Sequence, residues 1–286
     1  MQIGSDRRTS IAAVLCGDGR DAVPAGFPIL RSPSTRHMHE LAHLFVLCSA
    51  ARLPGASSLV TEINRQHKLQ ALFVRTDADP RLLPQMLERA NLRVLRNILV
   101  HSDSRLPRRV LSAWLRNAQG ELIANADIAD GRLIMISCEP KMYEVDFDQI
   151  PALKKIPRTE WRNFEIDEDG SFIRWPSVDI HLDLDAIRSV VDPAWRRRSE
   201  RMRRAHGREY GAAISKLRHE RGLKQNEIRG ISERQLRRVE GTGEISVRTL
   251  KLLAHAHGMN LDRYLDELSE RTGSRRAAQD IKEDHA

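Results

Sequence analysis

Hydrophobic and polar positions change their spacing several times along the 286 residues. Residues 1 to 68 fit neither the helical nor the strand period, with Gly, Pro, Ser and Arg spread through "GDGRDAVPAGFPILRSPSTR". The spacing there predicts an irregular segment holding one helix, from Met38 to about Arg52. From Leu69 the pattern tightens. "LQALFVRT" reads as a strand. "DPRLLPQMLERAN" reads as a short helix with Asp79 as N-cap and Pro80 in the first helical position, and "LRVLRNILVHS" as another strand. From about Arg108 strands are expected throughout "VLSAWLRNAQGELIANADIADGRLIMISC", with turn signals at Ala118–Gly120 and Asp130–Gly131. "KMYEVDFDQI" alternates apolar with polar residues, and "SVDIHLDLDAIRSV" repeats its theme of a strand running into an Asp-x-Asp. Between them, "FEIDEDGSFIRWP" predicts a hairpin built on Glu168, Asp169 and Gly170, with Pro176 closing its second strand.

Past residue 208 the period becomes helical and predicts five helices. The first, Glu209 to about Arg221, puts Ala213, Ile214 and Leu217 on one face and ends at Gly222. The second is brief, Gln225 to Arg229. The third starts at Ser232, which forms a capping box with Gln235 and sends Leu236 and Val239 inward. The fourth starts at Ser246 and ends at Gly258; the fifth follows Asn260. The expected fold class is α+β: a small mixed or antiparallel sheet domain over residues 69–191, a linker over 192–208, an all-α helix-turn-helix domain over 209–272 and a flexible tail over 273–286.

Charge adds a partner class. The net charge is +8, which favours polyanionic partners, nucleic acid before membrane surface. Residues 192–210 hold seven arginines, at 196, 197, 198, 201, 203, 204 and 208, suited either to a solvated linker or to an arm that tracks phosphates. Cys16, Cys48 and Cys138 are odd in number and lack a CxxC pairing, as expected of a reducing cytoplasm. The longest apolar run, Leu41 to Ala51, is too short to span a bilayer, and the stretch after Arg7-Arg8 is too short for an export signal. No Gly-rich phosphate loop or nucleophile elbow is present, so neither an enzyme nor a cofactor is expected.

"NFEIDEDGSFIRWPSVDIHLDLDAIR" resembles the hallmark of a domain family of unknown function, DUF 2442, in which a Gly-turn hairpin leads to a Trp-Pro and an Asp-rich run into a helix. Some members of that family precede a cro/C1-type helix-turn-helix. The following segments, "LRHERGLKQNEI", "ISERQLRRVEG" and "SVRTLKLLAHAHGMNLDRYLDEL", resemble the cro/C1 repressor family over about 60 residues: a Gln opens helix two, a capping Ser opens helix three and a Val-Glu stands near its end. This chain departs from that family in having only Arg229 and Gly230 between Ile228 and Ile231, a shorter connection than usual. The resemblance implies a lambda-repressor-like five-helix bundle and a sequence-specific, DNA-binding transcriptional regulator.

With Leu236 and Val239 inside, the third helix turns Glu233, Arg234, Gln235, Arg237 and Arg238 outward. Arg matches guanine O6/N7 and Gln matches adenine N6/N7, so Arg234 and Gln235 are assigned to base edges. Glu233 suits a cytosine amine, and Arg237 and Arg238 suit phosphates or bases at the edge of the footprint. Gln225 is expected on a phosphate at the start of helix two. The candidate DNA-contacting set is Gln225, Ser232, Glu233, Arg234, Gln235, Arg237 and Arg238. A homodimer on two half-sites is expected, with the sheet domain dimerising, sensing an effector or binding a partner protein. An antitoxin-like partner that regulates its own operon is an alternative. A zinc peptidase regulator is another, because His39, Glu40 and His43 match H-E-x-x-H, with Glu62 downstream. Trp161 and Trp175 are read as core, Asp183 and Asp185 as a solvated edge.

Overall fold

The computed structural model describes residues 11–17, 19–30, 40–76, 80–95 and 97–272. The chain divides into two compact units, Met1–Pro193 and Ala194–Ala286. In the first, among the described residues, strands β1 (Ile11–Cys16), β2 (Ile29–Leu30), β3 (His43–Ser49), β4 (Leu69–Arg75) and β5 (Ile98–His101) form one parallel sheet in the order β2-β1-β3-β4-β5. Helices α1 (Leu53–Arg65) and α2 (Leu83–Arg89) supply its crossovers, and α3 (Arg105–Leu115) follows β5.

The central strands are apolar at consecutive positions because both faces are covered. On β3, Phe45 and Leu47 face Val110, Leu111 and Trp114 of α3. Leu44, Val46 and Cys48 face Leu53, Val60 and Ile63 of α1. That double burial corrects the expectation for the first 68 residues. "HLFVLCS" is a strand rather than part of a helix from Met38 to Arg52, and the described residues between 11 and 68 contribute three strands and a helix to this layer. A short run of apolar residues carries no period, so helix and buried strand look alike in it.

A second correction falls on "VLSAWL", read as the start of a strand region from about Arg108. It belongs to α3, with Leu106, Val110, Leu111 and Trp114 spaced for one helical face. After it come β6 (Ile123–Ala129), β7 (Arg132–Ser137) and β8 (Met142–Asp146), an antiparallel meander whose first turn uses Asp130 and Gly131 at positive φ. Strands β9 (Glu165–Ile166), β10 (Ile173–Trp175) and β11 (Ile180–Leu182) form a third sheet, and α4 (Leu184–Val191) follows. Their shared core includes Leu133, Met135, Trp175 and Ile187, and Trp161 stacks on Phe147 with ring centroids 4.0 Å apart. Asp183 caps α4, its carboxylate accepting from the Ala186 amide at 2.8 Å, and Asp185 lies 3.7 Å from Arg188. The hairpin before β10 turns at Gly170, where an added Cβ would lie 2.3 Å from the Ile123 carbonyl oxygen, so only glycine fits. Asp79, expected as a helix cap, lies outside the described residues, as do residues 273–286.

The second unit contains α5 (Pro193–Glu220), a single 3-10 turn at Gln225–Glu227, α6 (Glu233–Thr242), α7 (Val247–Ala256) and α8 (Leu261–Arg271). Two expectations change here. The stretch read as a linker, 192–208, is mostly the first half of the 28-residue α5, which also absorbs the first expected helix. The second expected helix is one 3-10 turn. Only the far half of α5 is amphipathic, burying Ala213, Ile214 and Leu217 in a core shared with Leu236, Val239, Leu253, Tyr264 and Leu268. Gly207 and Gly211 let α5 run against the end of α6. A Cβ on Gly211 would lie 2.4 Å from the Glu240 carbonyl oxygen, and one on Gly207 2.4 Å from that of Thr242.

Candidate nucleic-acid interface

Helix α6 is set at both ends by local chemistry. Ser232 has extended backbone angles, and its hydroxyl accepts from the Gln235 amide at 3.2 Å. Ile231, just before the cap, and Leu236, one turn in, share one core, the arrangement of a hydrophobic staple. Gly243 ends the helix at φ 70°, its N–H donating to the Val239 carbonyl at 2.8 Å. With Leu236 and Val239 buried, Glu233, Arg234, Arg237 and Arg238 are exposed.

The exposed face sorts into free and tethered cations. Arg237 donates to the Glu233 carboxylate at 3.2 Å and to the Gln225 side-chain amide oxygen Oε1 at 3.4 Å. Arg234 and Arg238 stand one turn apart and have no carboxylate partner among the described residues. The two glutamines behave differently from the sequence expectation. Gln235 is half-buried, and its side-chain amide donates to Thr249 Oγ1 of α7 at 3.4 Å rather than reaching back to the cap. Gln225 donates to Glu240 at 2.8 Å. Both amides are engaged inside the bundle, because α7 and the end of α6 offer them acceptors at contact distance.

Glu240 and Arg218 are the residues that sequence reasoning passed over. Arg218 Nε donates to Glu240 Oε1 at 2.6 Å and its Nη1 to the Leu223 carbonyl at 2.8 Å, with the side chains of both partners at least nine-tenths buried. Burial disfavours the Glu240 carboxylate, yet hydrogen bonds from Arg218 and Gln225 and the Arg218 charge hold it below the ordinary glutamate range. One carboxylate thus joins α5, the 3-10 turn and α6. The signal was the Val-Glu pair itself, an acid flanked by core positions near a helix end.

Exposed cations extend beyond α6. Lys224 and Arg229 flank the 3-10 turn, Arg248 and Lys251 stand on α7, and the seven arginines in the first half of α5, from Arg196 to Arg208, are all exposed. Arg204 lies 3.9 Å from Glu200.

The competing metal reading is not supported geometrically. His43 is on strand β3 with its ring 4.9 Å from that of Trp114, and it shares its sheet face with Phe45, away from the helix α1 that carries Glu62. Glu62 pairs with Arg65 at 2.8 Å. His39 lies outside the described residues. Among the described residues no group of three or more His, Cys, Asp or Glu is placed to hold a metal ion, and no helix is long and apolar enough to cross a membrane. Burial pushes the Cys48 and Cys138 thiols up to about 12, which leaves both protonated and unreactive at neutral pH.

Comparison of the chain with protein-family models, with curated proteins and with solved structures returned no match.

Proposed function

We propose that the C-terminal unit reads double-stranded DNA through α6 and that the chain is a sequence-specific transcriptional regulator of the cro/C1 kind. The observation that carries this reading is the sorting of α6. Its aliphatic side is locked into the bundle, while Arg234 and Arg238 project from the other side with no carboxylate among the described residues to neutralise them. A helix of this length fits the major groove, and a free guanidinium near its N-terminus suits guanine O6/N7. Arg234 is the base-reading residue and Arg238 its neighbour at the edge of the footprint. Gln235 and Gln225 act by fixing the helix against α7 and Glu240 instead of touching bases. Lys224, Arg229 and the exposed arginines of α5 from Arg196 to Arg208 take phosphates. One short helix reads few base pairs, so the chain acts as a homodimer on two half-sites about 34 Å apart.

Selection of bound duplexes from a random pool, followed by anisotropy titration of the full chain at two salt concentrations, tests the reading. Arg234→Ala is expected to lose about 1–3 kcal/mol on the selected site and to relax preference at one base pair. Retention of no duplex at moderate salt, or identical site preference in the variant, would sink it.

A further inference from the structure

Helix α3 presents an arginine-rich face that DNA reading by α6 does not use. Its apolar side is in the core, whereas Arg105, Arg108, Arg109, Ser112 and Arg116, with Ser104 before the helix, line a cleft of about 940 Å³. Pockets for small ligands run from about 300 to 1,000 Å³.

The cleft sits where the topology of the sheet leaves an opening. The chain runs from β1 to β2 on one side and from β3 to β4 on the other, so the strand order reverses between β1 and β3. Ligands of open parallel sheets bind outside the carboxyl ends of the strands at such a point. Here Asp21, Cys48, Arg75, His101 and Ser104 close around that point and leave only about 10 Å³, room for a single water. Ser104 lines both spaces, so the larger cleft continues from the sheet's carboxyl edge along α3.

Charge decides what fits. Arg108 donates to the backbone carbonyl of Asp21, and Arg109 to the carbonyls of Ala124 at 2.8 Å and Glu168 at 3.2 Å. Neutral backbone acceptors hold these two guanidinium groups in place, while Arg105 lies 3.8 Å from the Asp103 carboxylate at the exposed end of the cleft. Guanidinium forks match phosphate oxygens two at a time. The facing wall is acidic: Asp167, Glu168 and Asp169 line it, with Asp169 3.7 Å from Arg116. A nucleic-acid strand laid along the cleft would bring phosphates against those three acids. A compact molecule with a phosphate at one end and hydrogen-bond donors at the other meets both walls.

We infer that this cleft binds a phosphorylated small molecule of mononucleotide size, its phosphate on Arg105 and Arg108 and its donor-bearing end toward Asp167 and Glu168. The site is independent of DNA reading by α6.

Calorimetric titration of the full chain with AMP and GMP, with the corresponding nucleosides and with a short single-stranded RNA tests the proposal. At least one nucleotide is expected to bind, the matching nucleoside at least about tenfold more weakly, and Arg108→Ala to weaken the nucleotide about tenfold or more with an unchanged circular dichroism spectrum. Arg108→Lys, which keeps the charge and loses the fork, is expected to fall between. Arg234→Ala is expected to leave nucleotide binding unchanged, so failure of the DNA reading and failure of this one are separable. Absence of heat with both nucleotides at millimolar concentration overturns the proposal. Equal affinity for nucleoside and nucleotide, indifference to Arg108→Ala, or binding of the RNA alone overturns it as well.

Discussion

At the centre of the parallel sheet, Phe45, Val46, Leu72 and Phe73 are wholly buried and surrounded by carbon. At the centre of the contact between α5 and α6, an arginine and a glutamate are buried together. Apolar burial has no direction, so the sheet is held by the volume and area of its side chains. An ion pair has direction. The Arg218–Glu240 pair requires α5, the 3-10 turn and α6 to meet at one angle, because its desolvation is compensated only when its hydrogen bonds are all made. The difference teaches where orientation matters in this chain. The sheet needs a filled interior. The bundle must aim one helix.

The largest losses are expected from a pair of truncations, one per unit. Phe45→Ala removes a ring that meets Phe27, Phe73 and Trp114, and should destabilise the sheet by about 3–5 kcal/mol. Glu240→Ala strands the Arg218 charge and should cost the bundle about 3–5 kcal/mol. Hydrogen exchange resolved by residue reads each loss in its own unit. A double replacement, Arg218→Met with Glu240→Leu, sharpens the contrast: stability should return close to the parent while DNA affinity does not, since apolar partners do not fix the helix angle. Recovery of both would show that direction was not the function of the pair.

Acid should separate the same two regions. The Glu240 carboxyl titrates lower in the folded bundle than in the unfolded chain, so its contribution is complete above the ordinary glutamate value of about 4.3 and is lost as pH falls through the lower folded value. Urea midpoints followed at α6 should therefore drop below about pH 4.3, and Glu240→Gln should flatten that drop. The same slope in both proteins would remove Glu240 from the explanation. The smallest effect is expected at a helix cap: Ser232→Ala loses the bond to the Gln235 amide and about 1 kcal/mol, visible as faster exchange in the first turn of α6.

How legible each region was in the sequence follows the same division. Caps and turns are local, and the chain writes them in a few adjacent residues. Ser232, Ser246 and Asn260 stand where α6, α7 and α8 begin, and Asp130–Gly131 stands at the turn of the β6–β7 hairpin. The strands of the parallel sheet were unequally readable. β4 and β5 were flanked by recognisable helix signals, whereas β1 and β3 sit among prolines and glycines with no period of their own. In α3 the apolar residues do fall at helical spacing, but within eleven residues crowded with arginine they also pass for a strand.

The candidate interface divides likewise. That Leu236 and Val239 go inside, and that arginines therefore face out, was decided by spacing along one helix. That Gln235 turns to Thr249, that Gln225 serves Glu240, and that Arg218 is buried at all depends on which helices meet. The cleft along α3 depends on partners 50 or more residues away, such as Glu168 for Arg109 and Asp21 for Arg108. Sequence alone determined the helix caps at Ser232, Ser246 and Asn260 and the turn at Asp130–Gly131, because their hydrogen bonds close within a few residues and their energetics are complete locally. Tertiary structure decided which strands are covered on both faces and which polar side chains find partners, because burial and desolvation exist only once distant segments have come together.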